Sequence, residues 1–152
     1  MNASAGRHIL ARVKISYPRL QHLLVPLDFS GKSRQALRYA VPLAQKFSGR
    51  IHLVHVLPPA RRTPAELAEA KQAAIRRLGQ MSGTLPPRLR AGNAVLVGKP
   101  GDEIVALARR IAVDLIVLTT KGETGLRRAL LGGTAQRIMQ QAPCPVMSIR
   151  RR

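Results

Sequence analysis

The chain alternates between two kinds of apolar pattern, and that alternation limits the fold more than any other feature. Five short apolar runs recur along it: residues 22–27 (HLLVPL), 51–57 (IHLVHVL), 94–97, 115–118 (LIVL) and 145–149. Each is too short for a stable buried helix and is bounded by Gly, Pro, Asp or Ser, as strands are. The segments between them show helical spacing instead. Leu37, Ala40, Val41 and Ala44 follow the i, i+3, i+4, i+7 rule, and Pro42 within that segment should kink the helix or remove one backbone bond. Gly49 is expected to stop it. Thr63-Pro64-Ala65-Glu66 has the form of a capping box with proline in the first turn, and Leu67, Ala70, Ala74, Leu78 and Met81 carry the apolar face behind it. A third helix opens at Pro100-Gly101-Asp102-Glu103 and closes on Arg109-Arg110, with acids at its positive end and bases at its negative end; Ile104, Leu107, Ala108 and Ile111 form its buried stripe. A short fourth helix runs over 134–141. Strands alternating with helices imply right-handed crossovers and a parallel sheet. The expectation is an α/β domain, a doubly wound five-stranded parallel sheet with helices on both faces.

A chain of 152 residues has room for one such domain. Residues 1–20 show no sustained period and are read as a basic N-terminal extension, and residues 21–152 as the domain. The single cysteine, Cys144, excludes a disulfide framework or a cysteine-rich zinc module within one chain. No apolar run approaches the roughly 18 residues of a membrane span, and Arg12 and Lys14 interrupt the only apolar stretch that could serve as a secretory leader. We therefore expect a cytoplasmic protein with no membrane partner. The 26 basic residues against seven acidic ones give a net charge of +19, a field that attracts polyanions. The basic residues are scattered in pairs, however, and only Tyr17, Phe29, Tyr39 and Phe47 could stack on bases. No specific nucleic-acid partner is expected; contact with nucleic acid should be non-specific and salt-dependent.

Ligands of doubly wound sheets bind beyond the carboxyl ends of the strands, where the strand order reverses. The loops after the first and fourth strands begin near Asp28 and Thr119. In the latter, Thr119-Thr120-Lys121-Gly122 is followed by nine residues and then Gly132-Gly133-Thr134, which opens a helix. Glycines backed by a helix N-terminus present N–H groups to an anion, and Lys121, Arg127 and Arg128 add charge nearby. The same residues also suit a plain turn and cap. Asp28 could accept bonds from a ribose hydroxyl or cap the helix that follows it. His52 and His55, three apart on a strand, face opposite ways and are not a chelating pair. Cys144 lies between two prolines without a histidine nearby and reads as a structural thiol.

Three blocks of the sequence resemble the universal stress protein family over residues 21–150. They are 24–30 (LVPLDFS) with Ala36, Leu37 and Ala40 behind it; 97–100 (VGKP) with Ile104 and Ala108; and 114–118 (DLIVL) through 122–126 (GETGL) and 130–132 (LLG) to 142–146 (APCPV). The resemblance implies the adenine nucleotide alpha hydrolase-like fold and a homodimer. It also implies that ATP, with or without Mg2+, is bound in the crevice between the first and fourth strands. Nucleotide-binding members carry Gly-x-x-Gly, nine residues, then Gly-Ser or Gly-Thr. Matched to this sequence, the second glycine is Gly122, the nine residues are 123–131 and the third glycine is Gly132. The resemblance then assigns Pro26 and Asp28 to the adenosine, with Asp28 on the ribose, Ile51 to the adenine, and Gly122, Gly132, Gly133 and Thr134 to the phosphates. Two positions depart from the motif: Thr119 stands for its first glycine, and Gly133 for the hydroxyl residue, with Thr134 one place late.

No base, nucleophile or metal cluster accompanies that loop, so little or no turnover is expected, at most slow ATP hydrolysis. The alternative reading is a dimeric interaction protein of the same family that binds no nucleotide. In both, the last strand should lie beside the fourth at the sheet margin, an open edge that invites pairing with a second copy.

Overall fold

The computed structural model describes residues 19–120 and 133–150. Its elements follow one another as β1 (His22–Pro26), α1 (Gln35–Lys46), β2 (Arg50–Leu57), α2 (Pro64–Gly83), β3 (Arg90–Val97), α3 (Pro100–Arg110), β4 (Leu115–Thr119), α4 (Gly133–Gln141) and β5 (Val146–Ile149). All four strand pairings are parallel, in the order β3-β2-β1-β4-β5. The strand order reverses between β1 and β4, and β5 lies at the margin against β4.

The central strand is buried on both sides, and successive residues feed two separate cores. Leu23, Val25 and Leu27 pack with Ala36, Ala40 and Ala44 of α1 and with Ala74 and Leu78 of α2. Leu24, Val54, Ile116 and Leu118 pack on the other face with Ile104, Val105 and Ala108 of α3 and Ala135 and Ile138 of α4. Alanines four apart let α1 lie close to the sheet.

Helix ends show which local signals the chain uses. Thr63 and Glu66 form the reciprocal capping box at the start of α2. Arg90, the first residue of β3, donates from its guanidinium to the carbonyls of Leu85 and Gly83 and so closes the far end of the same helix. α1 passes through Pro42 unbroken, because the proline is on the exposed side, where the missing N–H leaves the Arg38 carbonyl to solvent. The stop after α1 differs from expectation. The left-handed residue is Ser48 (φ 54), with Gly49 N–H donating to the Ala44 carbonyl at 2.8 Å. Gly49 is needed for a different reason: a Cβ there would lie 2.1 Å from the Leu20 carbonyl oxygen. α3 ends in the same way on Ala112 (φ 49), with Val113 N–H reaching the Ala108 carbonyl at 3.0 Å.

β3 is longer than its apolar run, 94–97. As an edge strand it carries exposed Gly92 and Asn93 in its first half, and a shift of register against β2 between Ile51 and His52 lets it pair from Arg90 onwards.

Candidate functional site

The carboxyl ends of β1, β2 and β4 and the start of α4 surround the reversal point of the sheet. After Pro26, Leu27 stays tied to the neighbouring strand through its N–H to the Val54 carbonyl at 2.8 Å. Asp28 then emerges into solvent. Its Oδ1 accepts from the Ser30 N–H at 2.9 Å and from the Ser30 hydroxyl at 2.6 Å, an Asx turn. Ser30 Oγ accepts in turn from the Ser33 N–H, and Ser33 Oγ donates to the Ser30 carbonyl, so two buried hydroxyls carry the chain into α1. Asp28 does not cap the helix that follows: the N-cap of α1 is Arg34, with no side-chain cap, and the carboxylate instead organises the Asx turn at Ser30 at the carboxyl end of the sheet.

Between Asp28 and Ser30, Phe29 takes a left-handed conformation (φ 65), uncommon for an aromatic residue. Its ring is stacked on His55 and covered by Arg77, whose guanidinium carbon is 4.3 Å from the ring centroid. His55 Nδ1 is 2.7 Å from the Leu27 carbonyl, which assigns the proton to that nitrogen. His55 therefore braces the loop from below, a role no local pattern announces.

On the other side of the reversal point, Thr119 is half-buried in register with Ile149, and Thr120 donates its N–H to the Ile149 carbonyl. Gly133 and Thr134 open α4 and are exposed, and a Cβ on Gly133 would meet no described atom within 4 Å. The position of this helix is set by α3: a Cβ on Gly101 would lie 2.7 Å from the Arg137 side chain, so only glycine permits the contact. The Asp102–Arg137 ion pair at 2.5 Å closes the same contact. The structure thus brings Pro26, Asp28, Thr119, Gly133 and Thr134 to one end of the sheet. Gly122, Gly132, Lys121, Arg127 and Arg128 lie outside the described residues.

Ile51 does not join this group. It is 1% exposed at the amino end of β2, in register with Leu23 and packed beneath α1 and α2. In a parallel sheet all carboxyl ends share one edge, and a rise of about 3.3 Å per residue puts that edge some 16 Å from Ile51. Counting along the register from Pro26 opposite Val54, the β2 residue level with Asp28 is Val56.

The amino end of the sheet holds a second polar group that sequence reading missed. His22 Nδ1 and His52 Nε2 approach to 3.1 Å. Burial, and then the neighbouring His22, push the His52 pKa below its ordinary value of 6.5. Asp114 accepts from the N–H groups of Gln21 and His22 at 2.8 Å each and so ties the entry of β1 to β4. Burial pushes the Cys144 thiol up, the opposite of what a nucleophile needs. Among the described residues no three His, Cys, Asp or Glu side chains are grouped to hold a metal ion, and no helix is long and apolar enough to cross a membrane.

A doubly wound sheet with an acidic turn after β1 and a helix N-terminus across the reversal point defines an α/β protein of the class whose ligands bind beyond the carboxyl edge. Within that class, residues 19–150 match the model of the universal stress protein family, and the chain belongs to that family. It is 31% identical over 140 residues to the universal stress protein MJ0531 of Methanocaldococcus jannaschii, covering 85% of this chain and 81% of that one. The solved universal stress protein UspA from Lactobacillus plantarum is 30% identical, with a TM-score of 0.69 over 87% of this chain and 99% of its own. A universal stress protein from Archaeoglobus fulgidus, solved in complex with dAMP, shares the fold at 23% identity, with a TM-score of 0.61 over 87% of this chain and 99% of its own.

Proposed function

We propose that this universal stress protein binds an adenine nucleotide, with ATP the first candidate, in the crevice between β1 and β4, and that it acts as a stress-signalling module with little or no turnover. The observation that carries the reading is Asp28: an exposed carboxylate at the carboxyl end of the central strand, beside the reversal point, oriented by Ser30. A carboxylate there suits the paired hydroxyls of a ribose, and the N–H groups at the start of α4 suit its phosphates. No described atom lies within 4 Å of a Cβ built on Gly133, so none of them obstructs a phosphate there. The dAMP complex of the Archaeoglobus fulgidus relative supports an adenine ligand on this fold. In this reading Val56, level with Asp28 in the register, borders the base in place of Ile51. Gly122 and Gly132 complete the phosphate cradle in this reading, and Mg2+ would be held by the nucleotide's own phosphates.

One observation favours the second reading, an interaction module without nucleotide: Thr119 places a side chain where nucleotide-binding members carry glycine. Titration calorimetry of the full chain with ATP separates the two. Binding at micromolar to submillimolar nucleotide is expected; no heat of binding at millimolar ATP overturns the proposal and leaves a dimer, paired through β5, as the working form.

A further inference from the structure

The solvent side of α1 is unlike that of α2 or α3. From Phe29 to Ala65 the sequence holds seven basic residues and neither Asp nor Glu. α1 is approached through Lys32 and Arg34, with no acid in its first turn and no side-chain cap, so positive charge sits at the positive end of the helix dipole. α2 opens on Glu66 and α3 on Asp102 and Glu103. The one ion pair among the described residues, Asp102–Arg137, lies on the other side of the sheet. At 100° per residue, Arg34, Arg38, Tyr39 and Lys46 share the face opposite Ala36, Ala40 and Ala44, and all four are exposed. Tyr39 is 52% exposed among these cations, and Phe47, at the end of the helix, is 40% exposed. The surface therefore combines unneutralised basic groups at i, i+4 spacing with one solvent-facing aromatic ring, Tyr39; Phe47, at the helix end, projects towards the side of Ala36, Ala40 and Ala44.

We propose that this face of α1 docks single-stranded nucleic acid without sequence preference. Cations without carboxylates among them suit a chain of phosphates, and an exposed ring suits an unstacked base. An anionic bilayer fits less well, because the apolar side of α1 is already committed to the sheet and cannot enter a membrane. A duplex would leave Tyr39 with nothing to stack on. The face runs along the solvent side of α1 and adjoins the Asp28 turn only at Arg34; an oligothymidylate carries no adenine, so its binding is read independently of nucleotide binding between β1 and β4.

The test is fluorescence anisotropy of the full chain with a labelled oligothymidylate of about 20 nucleotides at about 50 and about 200 mM salt. Arg34→Glu with Arg38→Glu should weaken binding at low salt by roughly ten-fold or more and reduce the salt slope by about 1.4, about 0.7 for each lost phosphate contact. Arg76→Glu with Arg110→Glu, of equal net charge but on α2 and α3, should change affinity by less than about three-fold. Tyr39→Ser should weaken binding roughly five-fold and leave the slope unchanged, the mark of lost stacking. The first pair puts an acid at the start of α1, so helix content by circular dichroism should persist. Equal losses in the two double variants would show only the diffuse pull of the net charge and overturn the proposal. So would duplex or inorganic polyphosphate binding as tightly as the oligothymidylate, or anionic vesicles binding through α1 while the oligothymidylate does not.

Discussion

The imidazole of His55 lies stacked on the ring of Phe29, with centroids 4.2 Å apart and planes 29° from parallel. The stack joins the carboxyl end of β2 to the turn after β1, and Arg77 closes it from α2. It holds Phe29 in a backbone region that costs a non-glycine residue about 1–2 kcal/mol. Removing the ring and relieving the backbone are therefore separable. Phe29→Ala should destabilise the fold by about 3 kcal/mol, whereas Phe29→Gly, which loses the same ring but fits the left-handed conformation, should be about 1 kcal/mol less damaging. Urea denaturation of the two variants gives the comparison; a glycine variant less stable than the alanine one would contradict it.

The left-handed stop after α3 makes a similar test without a ring. Ala112 occupies the position where glycine is favoured, and its N–H and that of Val113 close the last turn. Ala112→Gly should raise stability by about 0.5–1 kcal/mol, the relief of the Cβ contact less the added freedom of the unfolded chain. The same measurement at Gly49→Ala should show a large loss, because the Leu20 carbonyl occupies the space.

At the amino end of the sheet, His52 is held neutral by burial and by the adjacent His22. Its folded pKa lies below the unfolded value of 6.5, so the unfolded chain binds more protons in the window beneath 6.5. Stability from this site is fully present above that value and is lost as pH falls through it towards the lower folded pKa. The urea midpoint should therefore drop between about pH 7.5 and about pH 5.5, and His52→Gln should flatten that drop. A pH response unchanged in the variant would assign it to other groups.

Most of the fold was legible because its signals are local. The capping box of Thr63 and Glu66, the acids and bases of α3 and the apolar runs of the inner strands each need only a few neighbouring residues to be recognised. What escaped depends on register. The polar first half of β3 pairs because it is an edge, where apolar residues are not required. His22 and His52 are 30 positions apart and meet only because Leu24 pairs with His52. Ile51, assigned to the adenine by the family resemblance, lies at the other end of β2, and only the register with β1 shows that Val56 is the residue level with Asp28. Asp28, by contrast, follows directly on a strand that every pattern identified.

The β5 edge offers a clean test of dimerisation. Its pairing with β4 uses the carbonyls of Pro145 and Ile149, so by alternation the backbone of Val146 and Ser148 faces outward. Ser148→Pro removes one outward N–H and leaves the β4 side intact. Ile149 is a poorer choice, because it is buried in the core beneath α1. Light scattering should show a dimer for the parent and a monomer with unchanged circular dichroism for the variant. A parent that is monomeric at micromolar concentration would remove the β5 dimer.

The nucleotide reading turns on Asp28 and on the two departures from the glycine motif. Asp28→Ala removes the turn to Ser30 and, on that reading, a charge-assisted bond to ribose worth about 1.5–3 kcal/mol. ATP affinity should fall by roughly ten-fold to a hundred-fold. Asp28→Asn keeps an acceptor for Ser30 and loses only the charge, so it should bind with intermediate affinity and melt like the parent; that split separates ligand contact from loop support. In the other direction, Thr119→Gly should tighten binding if its side chain crowds the nucleotide. Gly133→Ser should do the same, because the space around Gly133 accepts a side chain without displacing any described atom and the hydroxyl adds a donor at the start of α4. Calorimetry on the four variants and the parent reads all of these at once. If Asp28→Asn binds as tightly as the parent while Thr119→Gly has no effect, the nucleotide does not occupy the crevice between β1 and β4, whatever its affinity.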